Sequence, residues 1–287
     1  MHGSFPNGVN REGKGTLFLQ MKLCRFDLLS DPGVIKSGFV HGGKVYETDG
    51  SNAIAVYDWA DTRLLTPIGL APSVRLFDTV TNESDWSGMS EGRHAKTDFT
   101  FAYLNPSTVI GPQTETMPVS VSENIGFKAC LGIIVAASAT LLTPDEAEDA
   151  IIGMTLVNIF FAADIDRMER VRGAPPGRSH DLGIAIGPAI TTLDECEEAA
   201  MHHAEGKAYQ FVISATVNDV EAGKWDTSEL PFTPAEAVSF ASESCAIRSG
   251  DLVCITLGEG TVNTGLETGD TVKLISDRLG TLANRIG

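Results

Sequence analysis

The chain has 287 residues, a formal net charge of −17, 43% hydrophobic residues and 21% charged residues. Such a composition suits a soluble globular protein with a sizeable core. Its acidity, with no run of Lys and Arg, argues against a surface for nucleic acid or an anionic membrane. Cys24, Cys130, Cys196, Cys245 and Cys254 are widely spaced, with no Cys-x-x-Cys pair. A disulfide framework or zinc knuckle is therefore not expected, and a reducing, cytoplasmic compartment is.

In chain order, residues 1–20 are Gly-rich and polar, without the basic-then-apolar pattern of a secretory signal. They read as a disordered leader or expression remnant. A strand opens at Met21, and Gly38 to Tyr46 reads as two short strands around Gly42-Gly43. Residues 21–70 thus form a small β-rich N-terminal lobe, with an amphipathic piece from Ile54 to Leu65. Residues 71–287 form the main domain. Residues 81–98 are polar, with few apolar anchors, and read as a mobile loop. Phe127 to Val135 is a nearly continuous apolar run, the signature of a central strand covered on both faces. Leu131 to Leu142 is too short to span a bilayer.

Three capping-box starts follow, Thr143-Pro-Asp-Glu146, Thr192-Leu-Asp-Glu195 and Thr233-Pro-Ala-Glu236. Strands are predicted at Met154 to Phe161, Tyr209 to Val217, Leu252 to Leu257 and Thr271 to Ile275. Arg167, Arg170 and Arg172 read as solvated charges on an exposed loop, and His202-His203 as part of a helix with a solvated face. The fold class is α+β, dominated by sheet, with a few capping helices. No dinucleotide fingerprint, Walker loop or Gly-x-Ser-x-Gly elbow is present, and Gly258-Glu-Gly260 is a weak phosphate cradle.

Several strings occur in an order and spacing that carry more weight than any one of them. They are Tyr103-Leu-Asn-Pro-Ser-Thr-Val-Ile-Gly-Pro112, Leu142 to Asn158, Ser179-His-Asp-Leu-Gly-Ile-Ala-Ile-Gly-Pro188, Glu229 to Phe240, Ile247 to Val253, Leu266 to Leu274 and Leu279 to Ile286. Over residues 68–286 the chain resembles the fumarylacetoacetate hydrolase superfamily. The resemblance implies that family's mixed β-roll and homodimer, and a small anionic oxo-acid-like ligand. It also implies hydrolysis, decarboxylation, isomerisation or dehydration at Mg²⁺ or Mn²⁺.

The resemblance breaks at the metal. The family's two strand Glu positions fall on Lys128 and Cys130, and its Asp position on Ile159. No metal ligand and no cofactor is therefore expected. The family's lid His has no counterpart around Asn82 to Trp86. Its Lys corresponds to Arg178, and its Thr-containing loop to Ile255–Gly260, where the Thr position is Leu257. Two readings remain. In one, a metal-independent enzyme uses Lys128, Arg178 and Arg172 as fixed cations, with Cys130, or His180 beside Asp181, handling a proton. Thr256 and Glu259 would then contact substrate. In the other, the protein is a catalytically inactive homologue that binds a ligand or partner. The plain alternatives are a buried hydrophobe for Cys130 and a hydrogen-bonded structural group for His180.

Overall fold

The computed structural model describes residues 21–78, 100–116, 122, 124–203, 206–258 and 262–287. The leader expected over 1–20, the loop expected over 81–98 and Glu259 lie outside the described residues.

Five strands open the chain: β1 (Lys22–Leu28), β2 (Asp31–His41), β3 (Lys44–Thr48), β4 (Ala53–Asp58) and β5 (Thr62–Leu64). The β2–β3 hairpin turns on Gly42 and Gly43, at φ +56° and +75°, a left-handed pair that residues with a Cβ resist. Cys24, Phe26, Val45, Leu64 and Ala189 form a small core beneath these strands. The stretch from Ile54 to Leu65 resolves into β4, a one-turn 3₁₀ helix and β5.

The body continues with β6 (Val74–Phe77), β7 (Ala102–Leu104), β8 (Val109–Ile110), β9 (Ile125–Val135), α1 (Pro144–Asp149), β10 (Ile151–Ala162), α2 (Ala163–Val171), β11 (Gly183–Thr192), α3 (Leu193–Cys196), β12 (Ala200–His202) and β13 (Lys207–Tyr209). It closes with β14 (Val212–Val217), β15 (Val220–Asp226), α4 (Pro234–Ser244), β16 (Leu252–Thr256), β17 (Val262–Leu266), β18 (Thr271–Ser276) and β19 (Gly280–Arg285).

The large sheet runs β4-β3-β2-β1-β11-β10-β9-β16-β6-β7, and a four-stranded sheet runs β15-β14-β18-β19. The opening strands join the large sheet where Lys22 pairs with Thr191 and Leu23 with Ile190. All eleven residues of β9 are buried, as its nearly continuous apolar text predicts. Alternation sends Phe127, Ala129, Leu131 and Ile133 into the larger core, shared with the second sheet and α4. Cys130 and Ile134 go to a second core with Val157, Ile159, Ile184 and Cys254. Lys128, by the same alternation, lies on this second face, and that placement starts the site.

Two of the three capping boxes form as read, at Thr143 with Glu146 and at Thr233 with Glu236. The third does not. Thr192 Oγ1 accepts from the Met21 amide at 3.2 Å, so the hydroxyl is committed to the sheet, and α3 runs only four residues. The charged stretch read as a loop is α2. It leaves β10 directly from Ala162, which offers no side-chain cap, so the usual start signal is missing. His202 ends strand β12, paired with Lys207, in place of the expected helix. Among the described residues no helix is long and apolar enough to cross a membrane.

Candidate active site

Strand pairing brings together the three positions to which the resemblance assigns the family's metal ligands. Lys128 faces Ile159 across β9–β10, and Cys130 faces Thr256 across β9–β16. Their chemistry does not fit a divalent ion. Mg²⁺ and Mn²⁺ take hard oxygen donors, whereas this set offers an ammonium, a thiol and an alkyl chain. Cys130 is fully buried in apolar surroundings, which push its thiol well above the usual range. That favours core packing over proton handling.

Lys128 is 2% exposed, and a charge that deep requires a partner. Its Nζ donates to Asp78 Oδ2 at 2.6 Å. The Arg170 guanidinium, on α2, stands 3.7 Å from the same oxygen, while its Nε donates to Asp166 Oδ2 at 2.8 Å. Asp78 follows the last residue of β6, and Thr256 Oγ1, at the end of β16, donates to its other oxygen at 3.3 Å. Lys128 also lies 5.5 Å from the centre of the Phe161 ring. Two cations therefore share one carboxylate. Asp78 is partly exposed and the Arg170 side chain is half exposed, so both stand at the solvent end while Lys128 forms the floor.

His180 completes the wall. Its ring stacks on Phe161, with centroids 5.4 Å apart and 18° between planes. Nδ1 lies 2.7 Å from Ser179 Oγ and 3.9 Å from Asp166 Oδ1. Glu169 Oε2 accepts from the Ser179 hydroxyl at 2.5 Å and from the Gly177 amide at 3.2 Å. Burial lowers the His180 pKa from 6.5 to about 3, and the nearby Lys128 ammonium acts in the same direction. The imidazole is neutral in the neutral pH range.

The structure thus brings Lys128, Thr256 and His180 together, with Cys130 and Ile159 in the apolar layer beside them. Asp181 does not partner His180, because its Oδ1 accepts from Asn105 Nδ2 at 3.2 Å. Neighbours in sequence on a 3₁₀ turn point apart. Arg178 opens that turn, exposed, and Arg172 caps the C-terminus of α2, exposed. Sequence reasoning missed Asp78, Asp166, Glu169 and Ser179, and assigned Arg170 to solvent. The Asp166–Arg170 spacing of four was the available signal once a helix is granted.

Asp166, Glu169 and His180 each place one possible metal-ligand atom within 4.8 Å of the others. Ser179 lies hydrogen-bonded between Glu169 and His180, and Arg170 occupies one oxygen of Asp166, so the trio is knitted by its own contacts.

Residues 78–287 match the family described as fumarylacetoacetate (FAA) hydrolase C-terminal, and the chain belongs to that family. It is 23% identical over 173 residues to oxaloacetate tautomerase YisK of Bacillus subtilis (strain 168), covering 58% of this chain and 54% of that protein. It is 24% identical over 186 residues to a 2,4-didehydro-3-deoxy-L-rhamnonate hydrolase of Sphingomonas sp. (strain SKA58), covering 63% and 62%. The chain thus spans less than two thirds of the length of either relative. In fold it is similar to 5-carboxymethyl-2-hydroxymuconate delta-isomerase from Mycobacterium smegmatis, at TM-score 0.74 and 21% identity, covering 93% of this chain and 98% of that one.

Proposed function

We propose that this member of the fumarylacetoacetate hydrolase family is a cytoplasmic homodimer acting on a small oxo acid or diketone. The chemistry would be C–C hydrolysis, decarboxylation, isomerisation or dehydration. It would proceed without a divalent ion at the family's position, the Lys128 ammonium serving as the fixed cation.

One observation carries this reading: a 2%-exposed ammonium stands beside a guanidinium, with a partly exposed carboxylate shared between them, where the resemblance would put a metal ligand. Reactions of this class place negative charge on an oxygen as a carbon–carbon or carbon–hydrogen bond breaks. A pre-positioned cation in a water-poor site stabilises that charge without reorganising. Asp78 balances the cations in the free protein. A substrate carboxylate that displaced it would leave Lys128 and Arg170 facing the acid. The relatives' names, a tautomerase of oxaloacetate and a hydrolase of a didehydro-deoxy sugar acid, support the substrate class.

The test is turnover of oxaloacetate and of acylpyruvates by protein dialysed against EDTA, with elemental analysis of the same preparation. Turnover that persists in chelator and falls at least a hundredfold in Lys128→Met is the expected result. A requirement for one equivalent of Mg²⁺ or Mn²⁺, or full activity in Lys128→Met, overturns the reading. Acid binding without turnover would favour the inactive, ligand-binding homologue, which the neutralising Asp78 contact also suits.

A further inference from the structure

Asp166 and Glu169 stand three residues apart on α2 and so share a face of that helix. The 3₁₀ turn Arg178–His180 is tied to this face, because Glu169 accepts from the Gly177 amide at 3.2 Å and from the Ser179 amide at 3.4 Å. His180 is thereby brought beside the two acids, and the three offer one ligand atom each within 4.8 Å of one another. The Ser179 hydroxyl stands among them, 2.5 Å from Glu169 Oε2 and 2.7 Å from His180 Nδ1.

These contacts leave one buried anionic atom over. Arg170 donates to Asp166 Oδ2, and Asp166 is only 8% exposed, yet its Oδ1 has no hydrogen-bond partner among the described residues. That oxygen faces His180 Nδ1 at 3.9 Å, beyond hydrogen-bonding reach. A buried carboxylate oxygen without a donor costs free energy, and it calls for a water, an ion or a functional task. The charges point to an ion. Arg170 balances Asp166, whereas the donors to Glu169, a hydroxyl and two amides, are all neutral. Two carboxylates with an imidazole make a donor set for a zinc-class ion, whereas Mg²⁺ is held by oxygen. Bonds of about 2.0–2.2 Å would draw the three atoms to roughly 3.3 Å from one another. Side-chain torsions supply that movement, and rotation of Ser179 about χ1 clears the centre.

We propose that Asp166, Glu169 and His180 form a binding site for a divalent transition-metal ion of the zinc class, which fastens α2 to the turn beside it. The site is separate from the family's ion position, which the resemblance puts at Lys128, Cys130 and Ile159, and it takes no part in turnover.

Zinc chloride, titrated calorimetrically into the full chain after stripping with EDTA and dialysis free of it, is the test. One equivalent is expected to bind at micromolar concentration or below, with Mg²⁺ at least a hundredfold weaker. Asp166→Asn, Glu169→Gln and His180→Phe are each expected to weaken zinc at least tenfold. Replacing the exposed pair His202 and His203 by Ala is expected to change nothing. In the wild type itself, zinc is expected to shift the ¹⁵N signals of the His180 ring and to raise the thermal midpoint. The outcome therefore does not depend on how well a variant folds. No binding at micromolar zinc, binding that leaves the His180 ring signals in place, or binding lost with His202 and His203 instead of with the trio overturns the inference. None of these readouts involves turnover, so the small-acid reading is untouched by any of them.

Discussion

The neutral, buried His180 makes a specific acid lability. In the unfolded chain its imidazole protonates near 6.5, whereas in the fold it does so near 3. Between those values the unfolded state binds a proton that the folded state refuses, so stability falls as pH drops through 6.5 towards 3. The slope reaches ~1.4 kcal/mol per pH unit. At pH 5 the ring has cost ~2 kcal/mol, which for a chain of this length corresponds to a fall in Tm of about 3 °C. His180→Phe retains a ring over Phe161 and cannot titrate. Its absolute stability will differ, since the contact with Ser179 goes, but its loss between pH 7.5 and 5 should be smaller by that amount. Urea denaturation of both proteins at pH 7.5, 6, 5.5 and 5 measures the difference. Carboxylates held below their usual range by partners elsewhere, such as Asp27 beside Arg63 and Asp270 beside the Glu267 amide, contribute equally to both proteins and cancel. Parallel pH profiles would show that His180 is protonated in the fold.

Asp78→Asn should leave the buried Lys128 without its charged partner and cost ~3 kcal/mol in chemical denaturation. The loss should shrink on adding millimolar oxalate, which a thermal-shift titration would read. Gly153→Ala places a Cβ 2.2 Å from the Thr191 carbonyl oxygen on the neighbouring strand. A backbone atom cannot yield as a side-chain end does, so a destabilisation of ~2–3 kcal/mol is expected from denaturation midpoints. Thr233→Ala removes the hydroxyl that accepts from the Glu236 amide at 3.1 Å and should cost ~1 kcal/mol, with turnover of any substrate unchanged.

Where the sequence stated an element twice over, it could be read. β9 is announced by composition alone, because a strand buried on both faces has nothing polar to interrupt it except Lys128. Thr143 and Thr233 begin helices with a Pro at the first position as well as the capping pair, so two independent requirements agree. Thr192 has the pair without the Pro, and its hydroxyl was taken by an amide 171 positions away. Local text cannot show such a competition. Helix α2 failed in the opposite direction: it forms, but without a polar cap, as the continuation of a strand.

The site shows the same division more sharply. Lys128, Cys130 and Ile159 could be placed together beforehand because strand alternation is a local property, and the structure pairs Lys128 with Ile159 across β9–β10. What surrounds Lys128 could not, because Asp78 reaches it across 50 positions and Arg170 arrives on a helix that the sequence did not announce. The consequence is chemical. Read alone, Lys128 is a cation in a place prepared for a cation's ligands. With Asp78 and Arg170 around it, the site holds an ammonium and a guanidinium on the Asp78 carboxylate, with Asp166 as a second partner of Arg170. Restoring the family's acids at positions 128 and 130 alone would therefore not rebuild a metal site. Ile159 would still offer no oxygen, and Arg170 would remain as a competing charge.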